Sequence, residues 1–109
     1  MIEAKGQNGT VRFDGRMVTL VRSGFVARRL VGKGDKAIPL RLVSAVQFRE
    51  ATALRRGYIE LTIAGAVERS GRNAGDQMSN ENAVVFLGSQ GHAFAAVRDA
   101  ILTAMAELA

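Results

Sequence analysis

The hydrophobic period of this chain changes once, near Ser89, and that change constrains the fold more than any other feature. Before it, apolar residues alternate over short stretches broken by turn dipeptides. After it, Phe94, Val97, Ile101, Met105 and Leu108 recur at helical spacing. Asn8-Gly9 and Asp14-Gly15 both supply positive φ cheaply, so each suits a tight hairpin turn between Ile2–Gly6, Thr10–Phe13 and Arg16–Ser23. Val11 and Phe13 alternate with Thr10 and Arg12, the pattern of a half-buried strand. Met17–Val21 is apolar on both faces and rich in β-branched residues. An antiparallel meander therefore opens the chain.

Further along, Phe25, Arg28, Arg29 and Leu30 fit either a helical turn or a strand edge, and Gly32–Asp35 forces a turn. Pro39 cannot donate to a ladder and marks a strand end or edge within Ile38–Leu40. Val43–Arg49 sets Val46 and Phe48 on one face, Gln47 and Arg49 on the other. Gly57–Ala64 places Ile59, Leu61 and Ile63 inward and Tyr58, Glu60 and Thr62 outward. Residues 69–82 have almost nothing to bury and read as a mobile polar loop. Ala83–Leu87 returns as a strand, and Ser89 is placed to cap a helix over about residues 90–108. About six or seven strands and one terminal helix define an α+β fold in a single domain over residues 1–109. The helix stripe must bury against the open end of a curved antiparallel sheet, which describes a bent barrel or sandwich capped by a helix.

Several chemistries drop out on residue type alone. The 109 residues include no Cys, which removes disulfides, thiol catalysis and thiolate zinc sites. The single histidine, His92, lies at the helix start and reads as a surface or cap residue; no carboxylates are spaced to join it on a metal. Neither G-x-S-x-G nor S-x-x-K occurs. Gly32-Lys33-Gly34-Asp35-Lys36 lacks the hydroxyl residue and long helix of a phosphate loop, and the hairpin already explains Asn8-Gly9-Thr10 without glycosylation. The expectation is a non-enzyme with no cofactor. The 48% hydrophobic content argues against disorder, and no apolar run reaches the roughly 20 residues a membrane span requires. Met1–Lys5 has no apolar signal core, so a cytoplasmic location is expected.

The formal charge of +5 is unevenly placed. Residues 1–56 carry 12 basic and 4 acidic side chains, or +8; residues 57–109 carry 3 and 6, or −3. Arg12, Arg22 and Arg49 are expected to project from strand faces opposite the core, joined by Arg16, Arg28 and Arg29. Clustered guanidinium groups would attract phosphate or an acidic partner. The six aromatic residues are mostly core positions, which leaves no stacking platform for nucleic acid. A charge polarity of this kind also allows copies to stack head to tail, with edge strands as the backbone route.

Taken in order, Gly6–Gly15, Lys36–Leu40 with Val43–Phe48, Gly57-Tyr58-Ile59, and Asn82–Phe86 with Ala93-Phe94 resemble a domain family of unknown function from actinobacteria and some of their phages. No single piece is specific, but the ordered set covers nearly the whole chain. That family is similar to the bacterial pleckstrin-homology-like fold, and its longer members often carry a short helical module that this sequence lacks. The resemblance implies a bent antiparallel barrel capped by one helix and a habit of self-association. It implies no catalytic residues. The expected function is a non-enzymatic module contacting protein partners, either a second copy or a host protein. The alternative is an anion-binding domain that holds nucleic acid or anionic lipid through its Arg-rich first half.

Overall fold

The computed structural model describes residues 1–22, 35–65, 77–78 and 80–109. Strands β1 (Ile2–Lys5), β2 (Gly9–Phe13), β3 (Met17–Arg22) and β4 (Lys36–Pro39) form one antiparallel sheet in that order. Strands β5 (Val43–Arg49), β6 (Gly57–Ile63) and β7 (Ala83–Phe86) form a second, also antiparallel. Helix α1 (Gly91–Leu108) follows. The arrangement is an α+β fold of two sheets and a C-terminal helix. The expected turn or edge over residues 24–34, Arg28 and Arg29 included, and residues 69–76 and 79 of the expected polar loop lie outside the described residues.

The two glycine turns are built differently. At Asp14-Gly15 the carboxylate Oδ1 accepts the backbone N–H groups of Arg16 (2.8 Å) and Met17 (2.7 Å), and Gly15 takes φ of 97°. That is the positive φ the dipeptide predicts. Asn8-Gly9 does not use it: Lys5 pairs with Thr10, so Gly6–Gly9 makes the connection, and neither residue has positive φ. Asn8 is instead buried, its Oδ1 accepting the Val85 N–H at 2.9 Å. Beside it Gln7 donates its N–H to the Val85 carbonyl at 2.7 Å. The β1–β2 turn thus satisfies the edge of β7 and joins the sheets at one end. At the other crossing a 3-10 turn over Leu40–Leu42 carries the chain from one sheet to the next, and Leu42 accepts from Ala64 N–H at 2.8 Å.

The core lies between the sheets and under the helix. Val11, Phe13, Val18, Leu20, Ile59, Leu61, Val84 and Phe86 meet Phe94, Val97 and Ile101 of α1, all 4% exposed or less. Phe86 stacks on Phe94 at 4.4 Å between ring centres and on Phe48 at 5.6 Å. Gly57 lets β6 approach this ladder, since a Cβ there would stand 2.7 Å from Phe86 and 2.4 Å from the Arg49 carbonyl. The helix stripe fades towards its end: Met105 is half-buried and Leu108 is 62% exposed, contrary to its place in the periodic pattern. Ser89 does not cap α1. A 3-10 turn over Gly88–Gln90 moves the helix start beyond it, and Gln90 Oε1 accepts the Leu87 N–H at 2.8 Å instead.

The inward face of β6 is as the alternation predicts, with Ile59 and Leu61 buried and Ile63 half-buried. The outward face is not. Tyr58 and Glu60 are both under 9% exposed. Tyr58 packs on Val85 and Met78 as a second, small cluster. Gln77 and Asn80, expected in a loop with nothing to bury, are 0% and 5% exposed over the same face. Strands β6 and β7 are therefore covered on both sides over Tyr58–Leu61 and Ala83–Phe86.

Candidate binding surface

Of the six arginines expected from the sequence, four are among the described residues, and of these Arg22 is buried, Arg49 is half-buried and Arg12 and Arg16 are exposed. Arg12 is exposed on β2 and pairs with Glu3 across the strand at 2.9 Å. Arg16 sits in the β2–β3 turn, and Arg22 ends β3, about 20 Å from it along the strand. Arg49 is half-buried on β5, its guanidinium 5.6 Å from the Tyr58 ring centre. Arg28 and Arg29 lie outside the described residues.

Arg22 corrects the expectation most sharply. It shares the phase of Val18 and Leu20, the buried face of β3, and is itself 5% exposed. Its Nη1 donates to the Ala83 carbonyl at 2.7 Å, and its Nη2 donates to the carbonyls of Asn80 (3.3 Å) and Glu81. Burial pulls its pKa below the ordinary guanidinium value, while the nearby Glu81 charge opposes that. The group is a structural tie, spent on backbone oxygens.

Glu60 is held in the same region, and among the described residues its hydrogen-bond partners are amides. Its Oε1 accepts from Gln77 Nε2 at 3.0 Å and its Oε2 from Asn80 Nδ2 at 2.7 Å. Asn80 also turns its Oδ1 to the Asn82 N–H at 2.9 Å. Asn8 Nδ2 reaches the Met78 carbonyl at 3.4 Å. These bonds fasten the segment before β7 onto the outer face of the second sheet. The early basic and late acidic halves also meet within one molecule, where Lys36 Nζ approaches Glu81 at 3.1 Å and Asn82 Oδ1 at 2.8 Å. Part of the charge split is thus neutralised internally.

Among the described residues two open surfaces remain, at opposite ends of β2. One groove, of roughly 500 Å³, runs between the β2–β3 turn and the end of α1; Arg16 and Arg41 stand on its rim above Met17, Pro39, Leu40 and Leu108. The other end carries two neighbouring hollows that share Gly88. The first, of roughly 310 Å³, is lined by Phe48, Glu50, Phe86 and the exposed His92. The second, of roughly 260 Å³, lies under the β5–β6 loop beside Leu87. Among the described residues no group of three or more His, Asp or Glu is placed to hold a metal ion, and no helix is long and apolar enough to cross a membrane.

The β5–β6 loop carries no periodic signal in the sequence. Thr52 organises it: its N–H donates to the Arg55 carbonyl at 2.8 Å, and its Oγ1 accepts the N–H groups of Leu54 (3.2 Å) and Arg55 (3.1 Å). Leu54 is 97% exposed at the tip. A lone leucine between polar residues has no periodicity to reveal it; the available signal is the Thr-x-Leu-Arg-Arg order itself.

A two-sheet α+β domain with one terminal helix, its polar interior spent on structure, is the class these features define. Residues 11–102 match the model of a domain of unknown function, DUF4429, and the chain belongs to that family. Comparisons with curated proteins and with solved structures find no match.

Proposed function

We propose that this domain is a non-enzymatic module that works through protein contacts, with a second copy of the chain among its partners and a host protein as the other. The observation that carries the reading is strand β5. Among the described residues its only strand ladder is with β6, and Ser44 and Ala45 near its start are exposed. The edge at Ser44 and Ala45 offers backbone donors and acceptors to another strand. The non-enzymatic part is supported by how the ionisable residues are used: Glu60 is held by two amides, Arg22 by three carbonyls. Sheets of four and three strands followed by a helix also match the layout of pleckstrin-homology-like domains, and we propose that relationship for the fold.

Light scattering after size-exclusion chromatography tests the reading. The expected mass rises above 11.6 kDa with concentration, and Ala45→Lys, which sets a charge on the β5 edge, returns it towards the monomer. A strict monomer at every concentration overturns self-association, and an Ala45→Lys variant that assembles like the parent removes β5 from the interface.

A further inference from the structure

The loop between β5 and β6 combines three features that the remainder of the molecule does not explain. Leu54 is 97% exposed, and three hydrogen bonds of Thr52 fix the backbone of the turn that presents it at the tip. Arg55 and Arg56 follow it directly. Arg55 is exposed, and Arg56 donates from Nη1 to Gln7 Oε1 at 3.4 Å, which fixes it beside the β1–β2 turn. Neither arginine is among the ion pairs of the described residues. Leu87, 44% exposed, adjoins them across the hollow of roughly 260 Å³, and exposed Lys5 stands two residues before Gln7 at the end of β1.

We propose that this end of the domain touches an anionic bilayer, with Leu54 entering the headgroup region and Arg55 and Arg56 meeting lipid phosphates behind it. An apolar side chain projecting ahead of guanidinium groups matches the order of layers it would meet: acyl boundary beyond, charged headgroups nearer the protein. Scattered single exposed leucines are ordinary on protein surfaces; one presented at the tip of a fixed turn, with paired cations at its base, is a directed feature. Nucleic acid would use the cations but gains nothing from leucine in the way of stacking. Contact through one leucine and two arginines is weak for a single copy. Several copies joined through another surface would multiply it.

Vesicle pelleting with the full chain tests this, comparing neutral phosphatidylcholine with vesicles of about 30% phosphatidylserine. Pelleting is expected with the anionic vesicles only. Leu54→Ser should weaken it about tenfold. Arg55→Gln with Arg56→Gln should weaken it about thirtyfold. Arg16→Gln with Arg41→Gln, at the opposite end, should lower it far less. Inorganic phosphate at matched ionic strength should not displace the protein. Leu54, Arg55, Arg16 and Arg41 are exposed and Arg56 is half-buried, and an unchanged thermal midpoint confirms that each variant is folded. No pelleting, pelleting insensitive to Leu54→Ser, displacement by free phosphate, or retention by DNA or an acidic peptide without vesicles each overturns the proposal. The mass of Leu54→Ser by light scattering keeps the two readings apart, since self-association through β5 survives this change.

Discussion

Arg22 Nη1 donates to the carbonyl oxygen of Ala83 at 2.7 Å, so the last residue of β3 in the first sheet fixes the first residue of β7 in the second. The same guanidinium holds the Asn80 and Glu81 carbonyls. Replacing it by Met keeps the apolar stem but leaves buried carbonyls without donors, each costing on the order of 1–3 kcal/mol. Arg22→Met is expected to destabilise by about 3 kcal/mol and to lower the thermal midpoint by more than about 10 °C. Arg22→Lys should recover only part, because an ammonium lacks the planar fork. Thermal unfolding followed by circular dichroism decides, and a shift of Arg22→Met under about 2 °C would contradict the structural role.

Glu60 makes a second prediction because both of its acceptor oxygens face amide donors, Gln77 Nε2 and Asn80 Nδ2. Glu60→Gln keeps the shape but turns one acceptor into a donor facing a donor. A loss of about 1–3 kcal/mol is expected in urea unfolding, with an unchanged m-value if the covering segment stays in place. Asn80→Ala should cost a similar amount. A neutral Glu60→Gln would mean that the two amides are not bound to it in solution.

These two residues also show where sequence reading stops. The alternation Ile59, Leu61, Ile63 identifies a buried face of β6 correctly, yet says nothing about the opposite face. Tyr58 and Glu60 are buried because Gln77, Met78 and Asn80 return from later in the chain to cover them, and no local period encodes that return. Arg22 is legible in principle, since it continues the Val18, Leu20 phase, and its register, not its charge, decides its burial. The hairpin at Asp14-Gly15 and the helix were plain because each depends on contacts within a few residues. Asn8 and Leu54 were not, since the first acts on a strand 77 residues away and the second acts on nothing within the described chain.

Glycine positions separate close packing from open space. A Cβ at Gly57 would lie 2.4 Å from the Arg49 carbonyl oxygen and 2.7 Å from the Ala51 nitrogen, both backbone atoms that cannot swing aside. Gly57→Ala is expected to cost about 1–3 kcal/mol by forcing β5 and β6 apart. Gly91 is the contrasting case, helical at φ −61° and ψ −35° with its nearest contact to an added Cβ at 3.9 Å. Gly91→Ala should stabilise by about 0.4–1 kcal/mol, by limiting the unfolded chain and favouring the helix start. Chemical denaturation of the pair checks both signs in one experiment.

The turn at Asp14 predicts a pH dependence. Hydrogen bonds from the Met17 and then the Arg16 backbone N–H hold its carboxyl below the usual 3.8. A depressed folded-state pKa favours the charged, folded form. Its contribution is therefore fully present above the unfolded value of 3.8 and is lost as pH falls through the lower folded value. Asp14→Asn keeps an oxygen acceptor for the turn but removes the charge. The variant should unfold at lower urea than the parent near neutral pH, and the two midpoints should converge on descending below pH 3.8. Because the carboxyl is fully exposed, the gap should also narrow in high salt. A gap that stays constant from neutral to strongly acidic pH would show that the turn uses only the acceptor geometry of Asp14 and draws nothing from its charge.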